Sequence, residues 1–293
     1  MQLPSLDHWD ATALSLQKVG LLLGGVRRLR LDPMPNFLHL GMKIVPEGLS
    51  TDVLPGGAEV IADFRRSALA VRQAGGERMI PFAGHSQKSL LDALLVELKT
   101  GELAGALLND RREGSLTDQL LDAIAAKTNR PASQFAYLVD EMALEVDAEL
   151  AKRYAGSLYR IFTGVARFRA RLAGMMTPVV VWPEHFDLSF LWFAGEKADE
   201  NAPHLNFGFA PFSAGMNFPY LYAYAYPMPK GDDGKPVLPE LPTPAYWNTE
   251  GWTGVVLPYA EIARAVEPEQ FVESMCAAFY HVLLPSIIVP SVG

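Results

Sequence analysis

Apolar and aromatic runs broken by isolated polar residues predict β-strands across residues 177–226. Tyrosines occupy every second position from Tyr220 to Tyr226, with leucine or alanine between them. Because side chains alternate across a strand, the tyrosines share one face and the smaller residues share the other. We expect the small face to pack beneath helices. The tyrosine face then either lines a ligand pocket or forms a cross-strand aromatic ladder that only stabilises the sheet.

The N-terminal part also alternates between helical and strand-like patterns. Residues 12–23 show helical periodicity and end at Gly24-Gly25, a typical helix stop. Residues 35–51 are predicted to form a strand that places His39 on the same face as Phe37. A meander of short strands follows, and a hairpin is expected at Gly75-Gly76.

In the middle of the chain, the apolar residues recur with the period of an α-helix. Residues 89–101 form an amphipathic pattern closed by Gly101, and residues 114–129 a second, shorter one. In residues 133–173 the apolar residues recur at spacings of three and four positions, which predicts one long helix. Gly156-Ser157 could divide or bend this helix.

These elements indicate an α+β fold. We expect an antiparallel β-sheet, with strands from both the N-terminal and C-terminal parts, covered by a central helical layer. Residues 1–293 then form a single domain, and a helical insertion at approximately 86–175 separates the two β-rich parts.

Composition narrows the classes of partner. The net charge of −8 disfavours nucleic acid, whose phosphates attract clustered lysine and arginine. The sequence shows no secretory signal and no apolar run long enough to cross a membrane, and its single cysteine suits a reducing compartment, so we expect a cytoplasmic protein. A small molecule or a second copy of the chain are the partners that remain. No cofactor is indicated.

The densest ionisable cluster in the aromatic region is Glu184, His185 and Asp187. Together these side chains could bind a divalent metal, with His39 or His204 as a further ligand, or transfer protons. The alternative is a turn in which Asp187 accepts hydrogen bonds near the start of a strand. No metal-binding spacing is present, so we predict no metal site and assign no catalytic residue. The candidate ligand-binding residues are His39, Glu184, His185, Asp187, His204, Tyr222, Tyr224 and Tyr226.

Several short segments form a pattern that runs over most of the chain. They are Gly48-Leu49-Ser50-Thr51, Thr177-Pro178-Val179, Phe186-Asp187-Leu188, Ser213-Ala214-Gly215, the Tyr-Ala-Tyr-Pro-x-Pro run that begins at Tyr224, and Leu257-Pro258-Tyr259. This pattern resembles a bacterial family known as domain of unknown function 5996. Polar residues of the family pattern are replaced here at Val180, around 210–212 and at Met228. The resemblance implies a shared fold and supplies no reaction.

Two functional hypotheses follow. The first is a small-molecule pocket on the aromatic face, with weak hydrolytic or isomerising chemistry. The second is a non-catalytic interaction or assembly module that uses the tyrosine face and the proline-rich loop after Tyr226. Under either hypothesis Asp187, between Phe186 and Leu188, is predicted to be buried and hydrogen-bonded.

Overall fold

The computed structural model describes residues 2–99, 115–213 and 215–287, and the chain divides into two compact units. The N-terminal unit comprises Leu6–Gly156 with Trp182–Glu184. The C-terminal unit comprises Met1–Ser5, Ser157–Val181 and His185–Gly293. The single-domain assignment stays a prediction.

The N-terminal unit contains a five-stranded antiparallel sheet whose strands follow one another in chain order. Its strands are β1 (Lys43–Val45), β2 (Gly48–Ser50), β3 (Glu59–Asp63), β4 (Ala68–Gln73) and β5 (Gly76–Pro81). Gln73 pairs with Gly76, so a two-residue loop joins β4 to β5. The hairpin predicted at Gly75-Gly76 is therefore confirmed, and the φ of 114° at Gly76 explains the glycine there.

Helices α1 (Asp10–Arg30), α2 (Gln87–Lys99) and α3 (Leu116–Thr128) belong to the same unit, and α1 and α2 contact the sheet. The expected stop at Gly24-Gly25 is wrong, because α1 continues through it. A Cβ on Gly24 would lie 2.7 Å from the ring of Pro183, so the glycine allows close packing within the helix. The closing residue Gly101 and the start at Gly114 lie outside the described residues.

The strand predicted over residues 35–51 begins later than expected. Pro35–Phe37 form a short 3-10 helix that passes into a turn, and the strand starts only at Lys43. Asn36 and Phe37 have φ values of 54° and 55°, which a strand cannot contain. His39 therefore lies in a turn.

The long helix predicted over residues 133–173 is also wrong in its first half. A 3-10 helix covers Ala132–Leu138, and helix α4 spans Ala148–Arg169 without a break at Gly156-Ser157. Between them, backbone N–H groups bond to other parts of the unit instead of to a preceding turn. Leu144 donates to the carbonyl of His85, and Glu145 donates to Ser15 Oγ.

The C-terminal unit contains a six-stranded antiparallel sheet in the order β10-β11-β9-β8-β7-β6. Its strands are β6 (Val180–Val181), β7 (Leu188–Phe193), β8 (His204–Ala210), β9 (Tyr220–Tyr226), β10 (Tyr246–Asn248) and β11 (Gly254–Pro258). The α+β class is confirmed. The strands of the two β-rich parts form two separate sheets and not the single sheet predicted from the sequence.

One face of this second sheet is an apolar core beneath helices. Phe207 of β8 lies 5.5 Å from Phe190 of β7 and 5.0 Å from Phe168 of α4, measured between ring centroids. Helices α5 (Tyr259–Arg264) and α6 (Pro268–Leu283) complete the unit, and α6 contacts β8 and β9. Leu221, Ala223 and Ala225 belong to this face, as predicted, and are buried.

In the described part of the chain, no helix combines the length and apolar character that a membrane span requires.

Candidate functional site

The strand register brings polar and aromatic side chains together on the opposite face of the C-terminal sheet. His204, Asn206 and Gly208 of β8 pair with Tyr226, Tyr224 and Tyr222 of β9, and Ser189 of β7 pairs with Gly208. We call this surface the tyrosine face: Asp187, Ser189, His204, Asn206, Gly208, Tyr220, Tyr222, Tyr224 and Tyr226.

Asp187 lies at the end of this face where β7 begins. It immediately precedes β7, is only 9% exposed, and accepts a hydrogen bond at Oδ2 from the hydroxyl of Tyr222. The prediction that Asp187 is buried and hydrogen-bonded is confirmed. Its second oxygen, Oδ1, is buried and has no hydrogen-bond partner among the described residues.

Burial controls the protonation of this pair. Burial raises the pKa of Asp187, although the hydrogen bond from Tyr222, the positive charge of His185 and the backbone N–H of Asp187 itself all oppose that shift. Burial also raises the pKa of Tyr222, and the negative charge of Asp187 acts in the same direction. Tyr222 therefore keeps its hydroxyl proton and donates it to the hydrogen bond. The carboxyl of Asp187 loses its proton at a higher pH than an ordinary carboxyl does.

Gly208 makes the contact between Tyr222 and Asp187 sterically feasible. A Cβ at this position would collide with the ring and hydroxyl of Tyr222 and would lie 2.5 Å from the carbonyl oxygen of Leu188. The tyrosine thus crosses β8 in the space left by the absent side chain. The alternation of side chains along one strand could not predict this contact between Tyr222 and Asp187, because the contact depends on the register of β7, β8 and β9.

Asn206, beside Tyr224, supplies a second buried hydrogen-bond acceptor. Asn206 is 7% exposed, and its Nδ2 donates to the hydroxyl of Tyr224 at 2.8 Å. Its carbonyl oxygen Oδ1 is buried and has no partner in the described part of the chain. The rings of Tyr222 and Tyr224 stack with centroids 6.2 Å apart and planes 8° apart.

Trp252 packs over these tyrosines from the loop between β10 and β11. Its ring centroid lies 6.4 Å from that of Tyr220, 6.0 Å from that of Tyr222 and 6.3 Å from that of Tyr224. The side chain of Asn248 donates to the carbonyls of Glu250 and Trp252, at 3.0 and 2.6 Å, and so holds the loop. Trp252 itself is only partly buried.

His204 forms the far end of the tyrosine face. Its Nδ1 lies 2.9 Å from the carbonyl of Ala202 and must carry the hydrogen, because a carbonyl can only accept. The ring stacks on Tyr226 at 5.2 Å. Burial lowers the pKa of His204, against the effect of the Ala202 bond, so the neutral ring with an acceptor at Nε2 is favoured.

The remaining candidates have different surroundings. His39 and Glu184 belong to the N-terminal unit. Nδ1 of His39 accepts from the backbone N–H of Met34 at 3.2 Å, and burial together with nearby positive charges lowers its pKa. Glu184 pairs with Arg28 at 2.9 Å. His185 is exposed in the C-terminal unit.

The structure thus brings together five of the eight sequence candidates: Asp187, His204, Tyr222, Tyr224 and Tyr226. Sequence reasoning missed Asn206, Gly208 and Trp252. The alternation His204-Asn206-Gly208 was a signal that could have placed Asn206 with the histidine. Across the residues that the structure describes, no group of three or more His, Cys, Asp or Glu side chains is arranged to hold a metal ion.

The raised pKa of Asp187 predicts a measurable pH dependence of stability. Because the folded-state pKa exceeds the unfolded value of about 3.9, the contribution of Asp187 is full below about pH 3.9 and is lost as pH rises through the folded pKa. The substituted side chain in Asp187→Asn cannot titrate, so this variant does not lose that contribution. Its free energy of unfolding minus that of wild type should therefore increase as pH rises from about 3.9 through the folded-state pKa of Asp187.

Urea unfolding of both proteins at a series of pH values measures this difference. Asp232→Asn, at an exposed position in the same unit, is the control and should follow wild type. A difference between wild type and Asp187→Asn that stays constant, or that changes in the opposite direction, would contradict the assignment.

Comparison of the sequence with known protein families finds a match to one family. The sequence model of the Family of unknown function (DUF5996) matches residues 2–283. No curated protein and no solved structure matches the chain. With nearly its whole length matched, the chain belongs to the DUF5996 family.

Proposed function

We propose that the protein binds a small organic molecule on the tyrosine face, and that the ligand donates hydrogen bonds to Asp187 Oδ1 and Asn206 Oδ1. The observation that carries this proposal is that both oxygens are buried and lack a partner among the described residues. A buried acceptor without a donor costs about 1–3 kcal/mol, so folded proteins rarely retain one without a reason.

The surroundings of the two acceptors suit a ligand site. Each acceptor belongs to a side chain whose other polar atom is bonded to a tyrosine hydroxyl, so its orientation is fixed. Tyrosine rings supply an apolar wall beside these polar groups, which is the usual composition of a small-molecule site. Oδ1 of each acceptor is buried in this structure, and Trp252 packs on the rings of Tyr222 and Tyr224, whose hydroxyls bond the two acceptor side chains. We therefore propose that the ligand enters when the Trp252 loop moves.

The position of β9 favours a ligand over an assembly surface. β9 lies between β8 and β11, so both of its edges are already hydrogen-bonded and cannot pair with a second chain. Tyr220 and Tyr222 are also nearly buried, at 3% and 7% exposure, so in this structure they offer little surface to a second protein chain, whereas a small ligand needs only a local movement of the Trp252 loop. Weak hydrolytic or isomerising chemistry on this face, with no catalytic residue assigned, stays a prediction.

A thermal-shift screen tests the proposal. The panel contains small amines, amides, polyols and carboxylic acids, and the variants are Asp187→Asn and Asn206→Leu. A compound with hydrogen-bond donors should raise the melting temperature of wild type; at one hundred times its dissociation constant the gain is about 2.7 kcal/mol. Both variants should lose this shift.

Asn201→Leu, at an exposed position of the same unit, serves as the matched control and should keep the shift. The proposal is wrong if no donor-bearing compound stabilises wild type, or if the shift survives in both site variants.

A further inference from the structure

We infer that the ligand of the tyrosine face is an organic ammonium ion, most simply a short amino alcohol or diamine. This inference rests on the proposed function and adds the charge and the approximate length of the molecule.

The carboxyl of Asp187 favours a cationic ligand. Asp187 is buried, yet no lysine or arginine in the described ranges forms an ion pair with it. Among the described residues, the positive charge that acts on it is that of His185, which is exposed and therefore screened by solvent. A buried carboxyl either stays protonated or is compensated by a cation, and a bound ammonium would provide that cation.

The groups around Asp187 and Asn206 also suit a cation. Both unpartnered atoms are acceptors, and the two side chains are bonded to Tyr222 and Tyr224, whose rings pack with those of Tyr220 and Trp252. Aromatic faces attract cations, most strongly where water is excluded. The same acceptors and π faces repel an anion, and the net charge of −8 acts in the same direction.

The two acceptor side chains are bonded to the hydroxyls of neighbouring rings. The rings of Tyr222 and Tyr224 are nearly parallel, with centroids 6.2 Å apart. We therefore infer a ligand that carries its second donor a short chain away from the ammonium. 4-Aminobutan-1-ol, with four carbons between its nitrogen and its oxygen, is a probe of that size.

Isothermal titration calorimetry with three probes of equal length tests the charge. The probes are 4-aminobutan-1-ol, neutral butane-1,4-diol and anionic 4-hydroxybutanoate. Wild type should bind the amine at least tenfold more tightly than the diol and should not bind the anion. Asp187→Asn should weaken amine binding at least tenfold, while the exposed-site control Asp232→Asn should not change it.

A pH series provides an independent readout. The ammonium requires ionised Asp187, so amine binding should release a proton and tighten as pH rises until the carboxyl is fully ionised. Circular dichroism spectra of each variant separate lost binding from lost folding. If Asp187→Asn fails to fold, the pH series on wild type and the comparison of amine with diol still decide the question.

The outcomes separate the two proposals. If the diol binds wild type as tightly as the amine, and Asn206→Leu weakens it, the site binds donors but the ammonium inference is wrong. If the anion binds best, or none of the three probes binds, the ammonium inference is also wrong. If the amine binds but neither Asp187→Asn nor Asn206→Leu weakens it, binding lies elsewhere and the proposed site itself is wrong.

Discussion

Gly208→Ala should lower the free energy of unfolding by about 3–5 kcal/mol, although it adds a single methyl group. That methyl would collide with Tyr222 and approach the carbonyl oxygen of Leu188 to 2.5 Å. Forcing a group into a packed core costs about 1–3 kcal/mol. Displacing Tyr222 also breaks its hydrogen bond to Asp187, which is worth about 1.5–3 kcal/mol because the acceptor can be charged.

Urea unfolding followed by tryptophan fluorescence measures the effect of Gly208→Ala. Gly195→Ala is the matched control, since nothing lies within 4 Å of a Cβ built at that position in the same unit. Equal urea midpoints for Gly208→Ala and Gly195→Ala would show that Tyr222 does not occupy the space above Gly208.

Arg27→Ala should destabilise the N-terminal unit by about 2–4 kcal/mol. The Arg27 side chain is 8% exposed and donates to three backbone carbonyls: His39 at 3.1 Å, Leu38 at 3.3 Å and Thr51. Its removal leaves these carbonyls without that donor, at a cost of about 1–3 kcal/mol for each one that stays buried and unpaired. Part of this loss is offset because a costly buried cation disappears; burial lowers the pKa of Arg27, against the charge of Asp52.

Chemical denaturation compares this variant with Arg27→Lys and with Arg65→Ala, which alters an exposed arginine of the same unit. Lysine keeps the charge but cannot reproduce the planar fork of donors, so its effect should be intermediate. A stability of Arg27→Ala equal to that of Arg65→Ala would mean that the carbonyls are satisfied in another way.

The contrast between Tyr222 and His39 shows what local pattern can predict. The alternation from Tyr220 to Tyr226 is a property of consecutive residues, and it correctly placed the tyrosines on one face. The alternation around His39 was similar but misleading. There, positive φ values at Asn36 and Phe37 turn the chain, and the side chain of Arg27 holds the turn. Such a tertiary contact leaves no periodic signal.

The polar centre of the site depends on contacts between residues distant in sequence. Asp187 bonds to a hydroxyl 35 residues away, and Asn206 to one 18 residues away. Their partners follow from the register of β7, β8 and β9, and no short motif encodes that register. Conversely, Glu184 and His185 are close to Asp187 in sequence, but the turn before β7 directs them to other surroundings.

A crystal soaked with 4-aminobutan-1-ol tests the central claim most directly. We expect electron density for the amine on the tyrosine face, with its nitrogen within hydrogen-bond distance of Asp187 Oδ1, its hydroxyl beside Asn206 Oδ1, and Trp252 displaced. Density for ordered water alone at both oxygens, with the amine absent or bound elsewhere, would contradict it.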